Sequence, residues 1–231
     1  MMIHVEKREL VVPGQLIAEG RYKYMEGTFR EEDKIYSAVV GLVGIKGEQI
    51  RVIPLQGRYI PHEGDLVIGV VIDTHHSGWI LDINSPYSGN LFVSNLVHRK
   101  VDLNNEDISK YLGLGDVVIA SVMEVSEHMK VLLETDRQEG GVVENGELIE
   151  ISSAKIPRVL GRKGSMLRII QADTDCRLVV GENGRIIILG SNHHMVNLAV
   201  KAILMIEREA HTSGLTERVH LMLEKEKTGG I

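Results

Sequence analysis

The sequence predicts a multidomain chain, mainly β over its first 138 residues and mixed α+β beyond them. Three observations carry this. Short Val- and Ile-rich runs cut by Gly and Pro recur through the first part, which is how strands read. Near residue 139 an acidic, glycine-rich stretch, RQEGGVVENGE, breaks all periodicity and reads as a linker. After it a helical stripe appears, with Met195, Leu198, Ala199, Ala202, Ile203 and Ile206 following the i, i+3, i+4, i+7 spacing.

The elements follow in order. Residues 1–59 alternate apolar runs with glycines, as in ELVVPGQLI and KIYSAVVGLVGIKGEQIRVIPL, and predict a small β module without helices. Residues 60–138 offer strands near 66–73, 78–84, 89–93, 116–125 and 129–135. Five short strands with a longer third connection suit a five-stranded OB barrel, plugged by a short helix or turn within 98–113. Residues 139–146 form the linker. Residues 147–231 read β-α-α-β-β-α: the strand ELIEIS, a helix AKIPRVLG with proline in its first turn, and a second helix SMLRIIQADT. The hairpin CRLVVGENGRIIIL turns at Asn183-Gly184, a helix starts near Asn192, and an amphipathic helix follows near 216–226.

Composition narrows the class. With 43% hydrophobic but only 4% aromatic residues, the cores must be filled by Val, Ile and Leu. No apolar run approaches the roughly 18–20 residues of a membrane span, and MMIHVEKREL holds no signal-peptide stretch. The one cysteine, Cys176, suits a reducing compartment, so a cytoplasmic protein is expected.

A net charge of −6 argues against a general affinity for nucleic acid, yet local sign decides phosphate binding because salt screens fields beyond about 10 Å. Residues 151–172 carry no acidic residue. The segment KIPRVLGRKGSMLRII within them holds Lys155, Arg158, Arg162, Lys163 and Arg168. At its centre Gly161-Arg162-Lys163-Gly164 joins two short helices. Glycines permit a sharp turn and close approach of a ligand backbone, the second helix turns its N-terminus toward the same point, and two cations sit at the tip. These features favour a phosphodiester. The order Lys163-Gly164-Ser165 without a preceding strand excludes a P-loop. The spacing alone is weak, since GENG, Gly181 to Gly184, repeats it in a hairpin turn where Glu182 would repel phosphate.

Other chemistry is absent. His75-His76 and His193-His194 are adjacent pairs rather than metal-ligand spacings, so no metal or cofactor is expected. Asp173 and Asp175 read as turn residues between helix and strand, and Cys176 as a small core hydrophobe. No catalytic constellation stands out, and the chain is not expected to be an enzyme. Val97 to Lys100, with His98, Arg99 and Lys100, is a second small basic patch that reads as a ligand contact or a solvated loop.

A helix–GxxG–helix inside β-α-α-β-β-α, in the form IPRVLGRKGSMLRIIQADTDCRLVV, resembles a KH domain of type I. The resemblance implies that Gly161, Arg162, Lys163 and Gly164 clamp single-stranded RNA, with Lys155, Arg158 and Arg168 beside them. It also implies that Val159, Leu160, Met166, Ile169 and Ile170 form the apolar floor. Residues 60–138 resemble an S1-type OB domain, whose face stacks bases on aromatics beside positive charge. The implied set is His75, His76, Trp79, Tyr87, Phe92 and Lys130, with Trp79 reading equally as a core residue or an interface anchor. Phe92 stands where many members have histidine, and Leu132 where arginine is common, which lowers the base-specific binding expected of this face. An N-terminal β module, an S1 barrel and a KH domain in this order resemble the archaeal RNA exosome cap subunit of the S1-plus-KH kind. That implies a non-catalytic adaptor, three copies on a ribonuclease-PH-like hexameric ring, possibly mixed with the other cap subunit, feeding RNA 3′ ends into 3′-to-5′ decay, with His98, Arg99 and Lys100 then a pore-side patch for RNA or a solvated loop. The alternative is a free-standing S1/KH protein acting in translation or RNA processing, with a metal-dependent nuclease a distant third.

Overall fold

The computed structural model describes residues 2–55, 57–99, 101, 107–136, 141–210, 212 and 214–228. The chain divides into two compact units, residues 1–57 and 58–231.

The first unit is all β among its described residues. Its strands are β1 (Met2–Ile3), β2 (Leu10–Val11), β3 (Leu16–Glu19), β4 (Lys23–Tyr24), β5 (Thr28–Glu31), β6 (Lys34–Ser37), β7 (Gly41–Lys46) and β8 (Gln49–Pro54). They form two four-stranded sheets, ordered β1-β3-β6-β5 and β2-β7-β8-β4. The longer strands turn one side inward, as Ile50 and Val52 show on β8, and the core is aliphatic: Val11, Ile17, Ala18, Ile35, Val43, Ile50 and Val52.

The second unit opens with the barrel. Its strands are β9 (Leu66–His75), β10 (Gly78–Asp82), β11 (Gly89–Phe92), β12 (Val117–Val125) and β13 (Val131–Glu134). The order β13-β11-β10-β9-β12 closes through a β13–β12 pairing, which makes a five-stranded barrel and leaves no open edge among these strands. Helix α1 (Val93–Val97) and a 3₁₀ turn (Ile108–Lys110) occupy the long connection, where Val93, Leu112 and the partly buried Ile108 join the barrel core. The expected linker differs from the structure on its described side. Residues 139 and 140 lie outside the described residues, but β14 (Gly141–Val142) pairs with Val118 and Ile119 and extends the barrel sheet.

The last domain is β15 (Glu147–Glu150), α2 (Ile156–Leu160), α3 (Ser165–Thr174), β16 (Arg177–Val180), β17 (Arg185–Leu189), α4 (His193–Glu209) and α5 (Leu215–Thr228). The sheet order is β15-β17-β16, all antiparallel. Central strand β17 reads Arg-Ile-Ile-Ile-Leu, and its first four residues are buried because both faces of the sheet are covered. Ile186 and Ile188 face the helices, where they meet Val159, Met166, Ile170, Leu198, Ile203 and Val219. Ile187 points the other way and packs against Ile68 and Ile119 of the barrel. Burying each isoleucine contributes about 1.5–3 kcal/mol, so the alternation fixes this sheet between its own helices and the barrel.

Candidate nucleic-acid interface

Helix α2 is a single turn with Pro157 at its start, and it ends at Gly161 (φ 71, ψ −178). A Cβ at Gly161 would lie 2.7 Å from the Met166 backbone nitrogen, so glycine here lets the turn close onto α3. Gly164 differs: it has φ 75 and open space around the missing Cβ, so only its backbone conformation requires glycine. Between them Arg162 is right-handed and Lys163 left-handed (φ 52, ψ 35). The Gly164 N–H closes the turn onto the Gly161 carbonyl and the Ser165 N–H onto the Arg162 carbonyl, so these donors are used within the turn and the two side-chain cations are what it presents outward.

Arg162 and Lys163 are both exposed at the tip, Arg158 is exposed on α2, and Lys155 is half-buried at the end of a preceding 3₁₀ turn. Beneath them Val159, Met166 and Ile170 are buried, and Leu160 and Ile169 pack against the same core. The structure therefore brings the KH-side residues together around one turn, with no acidic side chain in the intervening chain. Arg168 is the exception in role: its Nη2 donates to the Lys163 carbonyl at 3.0 Å and its Nε to the Gly164 carbonyl at 3.4 Å.

The barrel candidates separate. His75 on β9 and Phe92 on β11 both lie opposite Gly78 of β10, so they share the outer face. Their rings meet edge to face with centroids 5.8 Å apart, and Phe92 is 38% exposed. Ser77 donates its backbone N–H to His75 Nδ1 at 3.3 Å, which fixes Nδ1 as an acceptor and puts the proton of the neutral ring on Nε2.

Trp79 must be corrected. It is fully buried in the barrel core, and its indole N–H donates to the Leu112 carbonyl at 3.1 Å. Strand alternation explains this: Trp79 is the inward neighbour of the outward-facing Gly78. Tyr87 is half-buried against the barrel core, and His76 is exposed in the β9–β10 turn. Lys130 precedes Val131, which pairs with Gly89, so it lies at the far end of β11 from Phe92. His98 caps α1 in a left-handed conformation with Nε2 3.4 Å from the Thr135 hydroxyl, and Arg99 donates to the Tyr111 hydroxyl at 2.9 Å. Lys100 lies outside the described residues.

The second GxxG, GENG, has a structural role. Asn183 is completely buried; its Oδ1 accepts from the Ile68 backbone N–H, and its Nδ2 donates to the carbonyls of Ile68 and Ile83. Asn84 reciprocates by donating to the Asn183 carbonyl at 2.9 Å, and Glu182 N–H donates to Leu66. The barrel's backbone is thus met by a side chain that imitates a strand. Arg185, also buried, donates to Glu150 from its own sheet and to both the carboxylate and the carbonyl of Asp82 in the barrel. Burial raises the Glu182 carboxyl above its ordinary range, and the nearby Asp65 charge adds to this.

Elsewhere in the domain, Asp175 caps α3 in a left-handed conformation, whereas Asp173 lies within α3 rather than in the loop after it. Asp173 Oδ2 lies 2.8 Å from His220 Nδ1 on α5, and this hydrogen bond raises the His220 pKa. Cys176 is buried, as a small core residue would be.

Comparison with known proteins now adds to the geometry. Residues 8–56 match the exosome RNA binding protein RRP4 N-terminal domain, 58–124 the RRP4 S1 domain, and 146–205 the KH domain. The chain is 47% identical over 223 residues to the exosome complex component Rrp4 of Pyrococcus furiosus, covering 96% of this chain and 84% of that one. It is 47% identical over 220 residues to the Rrp4 of Methanothermus fervidus, covering 94% and 96%. A crystal structure assigned as an exosome complex RNA-binding protein aligns with a TM-score of 0.71 at 37% identity, covering 74% of this chain and 98% of that one. Three matched domains in a shared order, with this similarity along nearly the whole chain, make it a member of the Rrp4 family of exosome components.

Proposed function

We propose that this chain is a non-catalytic RNA-binding cap subunit of an exosome. In this reading it captures single-stranded RNA and feeds the 3′ end to a ribonuclease-PH-like ring for 3′-to-5′ degradation in the cytoplasm. The exposed Gly161–Gly164 turn carries the proposal. Two exposed cations stand at the start of α3, in a segment free of carboxylates. The relatives named as exosome components support the assembly, and the N-terminal β unit is its docking domain.

The chain's part is physical. Phosphates are held at the turn through charge, while an unstacked base packs on the partly exposed Phe92 ring beside His75. Bond cleavage is left to the ring. The test is to mix the chain with the ring and to measure complex formation, RNA affinity and RNA decay. A stable complex that captures RNA more tightly than the ring alone supports the proposal. No complex, or no gain in capture, overturns it. Deleting residues 1–59 should abolish assembly while the KH domain stays folded; the free-standing alternative expects RNA binding without the ring.

A further inference from the structure

We infer that Arg168 is a positioning residue of the GRKG turn, holding it in the shape that grips phosphate, and is not itself the phosphate ligand. The inference rests on the reading of that turn as an RNA grip. It starts from one conformation the chain does not favour unaided. Lys163 is a non-glycine residue in the left-handed region (φ 52), directly before Gly164 at φ 75. Gly164 is the N-cap of α3 and has no side chain to cap the helix, so the helix start lacks the usual Ser, Thr, Asp or Asn lock.

Arg168 supplies the missing restraint from inside the helix. One turn on from Gly164, its guanidinium folds back and donates from Nη2 to the Lys163 carbonyl and from Nε to the Gly164 carbonyl. The Lys163 carbonyl precedes the N-cap and so lies outside the helix's own hydrogen-bond ladder. A fork of two N–H groups on one planar cation reaches both oxygens together, which a lysine ammonium on a single flexible stem does not reproduce. Tying the Lys163 carbonyl back removes one partial negative charge from the phosphate's approach, while the second bond anchors the guanidinium on the N-cap carbonyl. It also leaves the Arg162 and Lys163 side chains exposed at the tip. The five basic residues of the segment therefore divide into roles: Arg162 and Lys163 are presented to the ligand, and Arg168 presents them.

The experiment compares the full chain with Arg168→Lys, Arg168→Gln and the double variant Arg162→Asp/Lys163→Asp. Single-stranded RNA affinity is measured across a salt series, and amide hydrogen exchange at Lys163, Gly164 and Ser165 is measured without RNA. Positioning predicts that both Arg168 variants lose affinity, by about three- to tenfold for one or two lost hydrogen bonds. It predicts an unchanged salt slope in Arg168→Lys and faster amide exchange in both free variants. A direct phosphate ligand would instead show Arg168→Lys binding like wild type, with Arg168→Gln flattening the slope by about 0.7. That outcome overturns the inference, as does wild-type exchange in both variants. If Arg162→Asp/Lys163→Asp binds RNA normally, the underlying reading of the turn fails, and the exchange rates alone then decide whether Arg168 holds it.

Discussion

Arg185 of the KH hairpin donates to both the carboxylate and the backbone carbonyl of Asp82 at the end of barrel strand β10. Arg185 also pairs with Glu150, its direct partner across β15 and β17. A buried cation thus joins two domains that read in the sequence as separate beads. The Asp82 and Glu150 side chains stay about half exposed, so removing the arginine lets both carboxylates hydrate. Arg185→Met should therefore cost about 1–3 kcal/mol, for the Asp82 carbonyl that loses this donor; the Ile68 carbonyl keeps the one from Asn183. That is less than the roughly 3–5 kcal/mol of a fully buried broken pair. Denaturant unfolding followed through the single tryptophan, Trp79 in the barrel core, measures this at the junction.

Asn183 makes a sharper test because its two ends are not interchangeable. Oδ1 accepts from an N–H and Nδ2 donates to two carbonyls. Asn183→Ala loses all three bonds. Asn183→Asp faces two carbonyl oxygens with a carboxylate, so at neutral pH it should destabilise more than alanine does. The introduced carboxyl has a raised folded pKa, so the loss should shrink as pH falls through that value. Thermal unfolding at mildly acidic and neutral pH gives the order; a milder effect of Asp than Ala at neutral pH would contradict the assigned contacts.

Glu182 bears on the same junction. Its folded pKa is raised by burial, so its stabilising contribution is present below the unfolded value and is lost as pH rises through the folded one. Glu182→Gln should accordingly raise the melting temperature at neutral pH and leave it unchanged below about pH 4.

At the far side of the domain, His220 is also raised, by its hydrogen bond to Asp173 and the charges of Asp173 and Glu224. The sign is the same: docking of α5 is strongest below about pH 6.5 and weakens as pH climbs through the folded pKa. Comparing melting curves of the chain with His220→Gln should show the difference between them shrinking from mild acid toward alkaline pH.

The barrel separates two aromatic roles. Trp79→Phe should destabilise the barrel by about 1–3 kcal/mol, since the Leu112 carbonyl loses its donor, while RNA affinity of the folded protein stays the same. Phe92→Ala should leave stability nearly unchanged and weaken RNA binding by about 1–3 kcal/mol. Calorimetric unfolding and RNA titration of both variants give the comparison.

These contrasts show which features were legible in the sequence. Helix α4 announced itself because its stripe repeats every 3.6 residues, and the same residues, Leu198 to Ile206, are the buried ones. The basic turn was legible because charge and glycines are local. Trp79 stayed open between face and core because a barrel strand alternates, and its inward parity depends on a register that letters do not give. GENG and Arg185 look like an ordinary polar turn and an exposed cation. Their burial arises from the barrel more than a hundred residues away in sequence, a contact no local pattern carries. One local sign was available: three consecutive isoleucines on β17 imply a sheet covered on both faces, and therefore a second partner for the hairpin.

The most direct test of the central claim is RNA affinity of the chain assembled on the ring, measured against salt for wild type and Arg162→Asp/Lys163→Asp. The account predicts weaker capture and a slope flatter by about 1.4, two phosphate contacts at about 0.7 each, with slower decay of the bound RNA. Equal affinity and equal slope in an assembled, folded variant would contradict it.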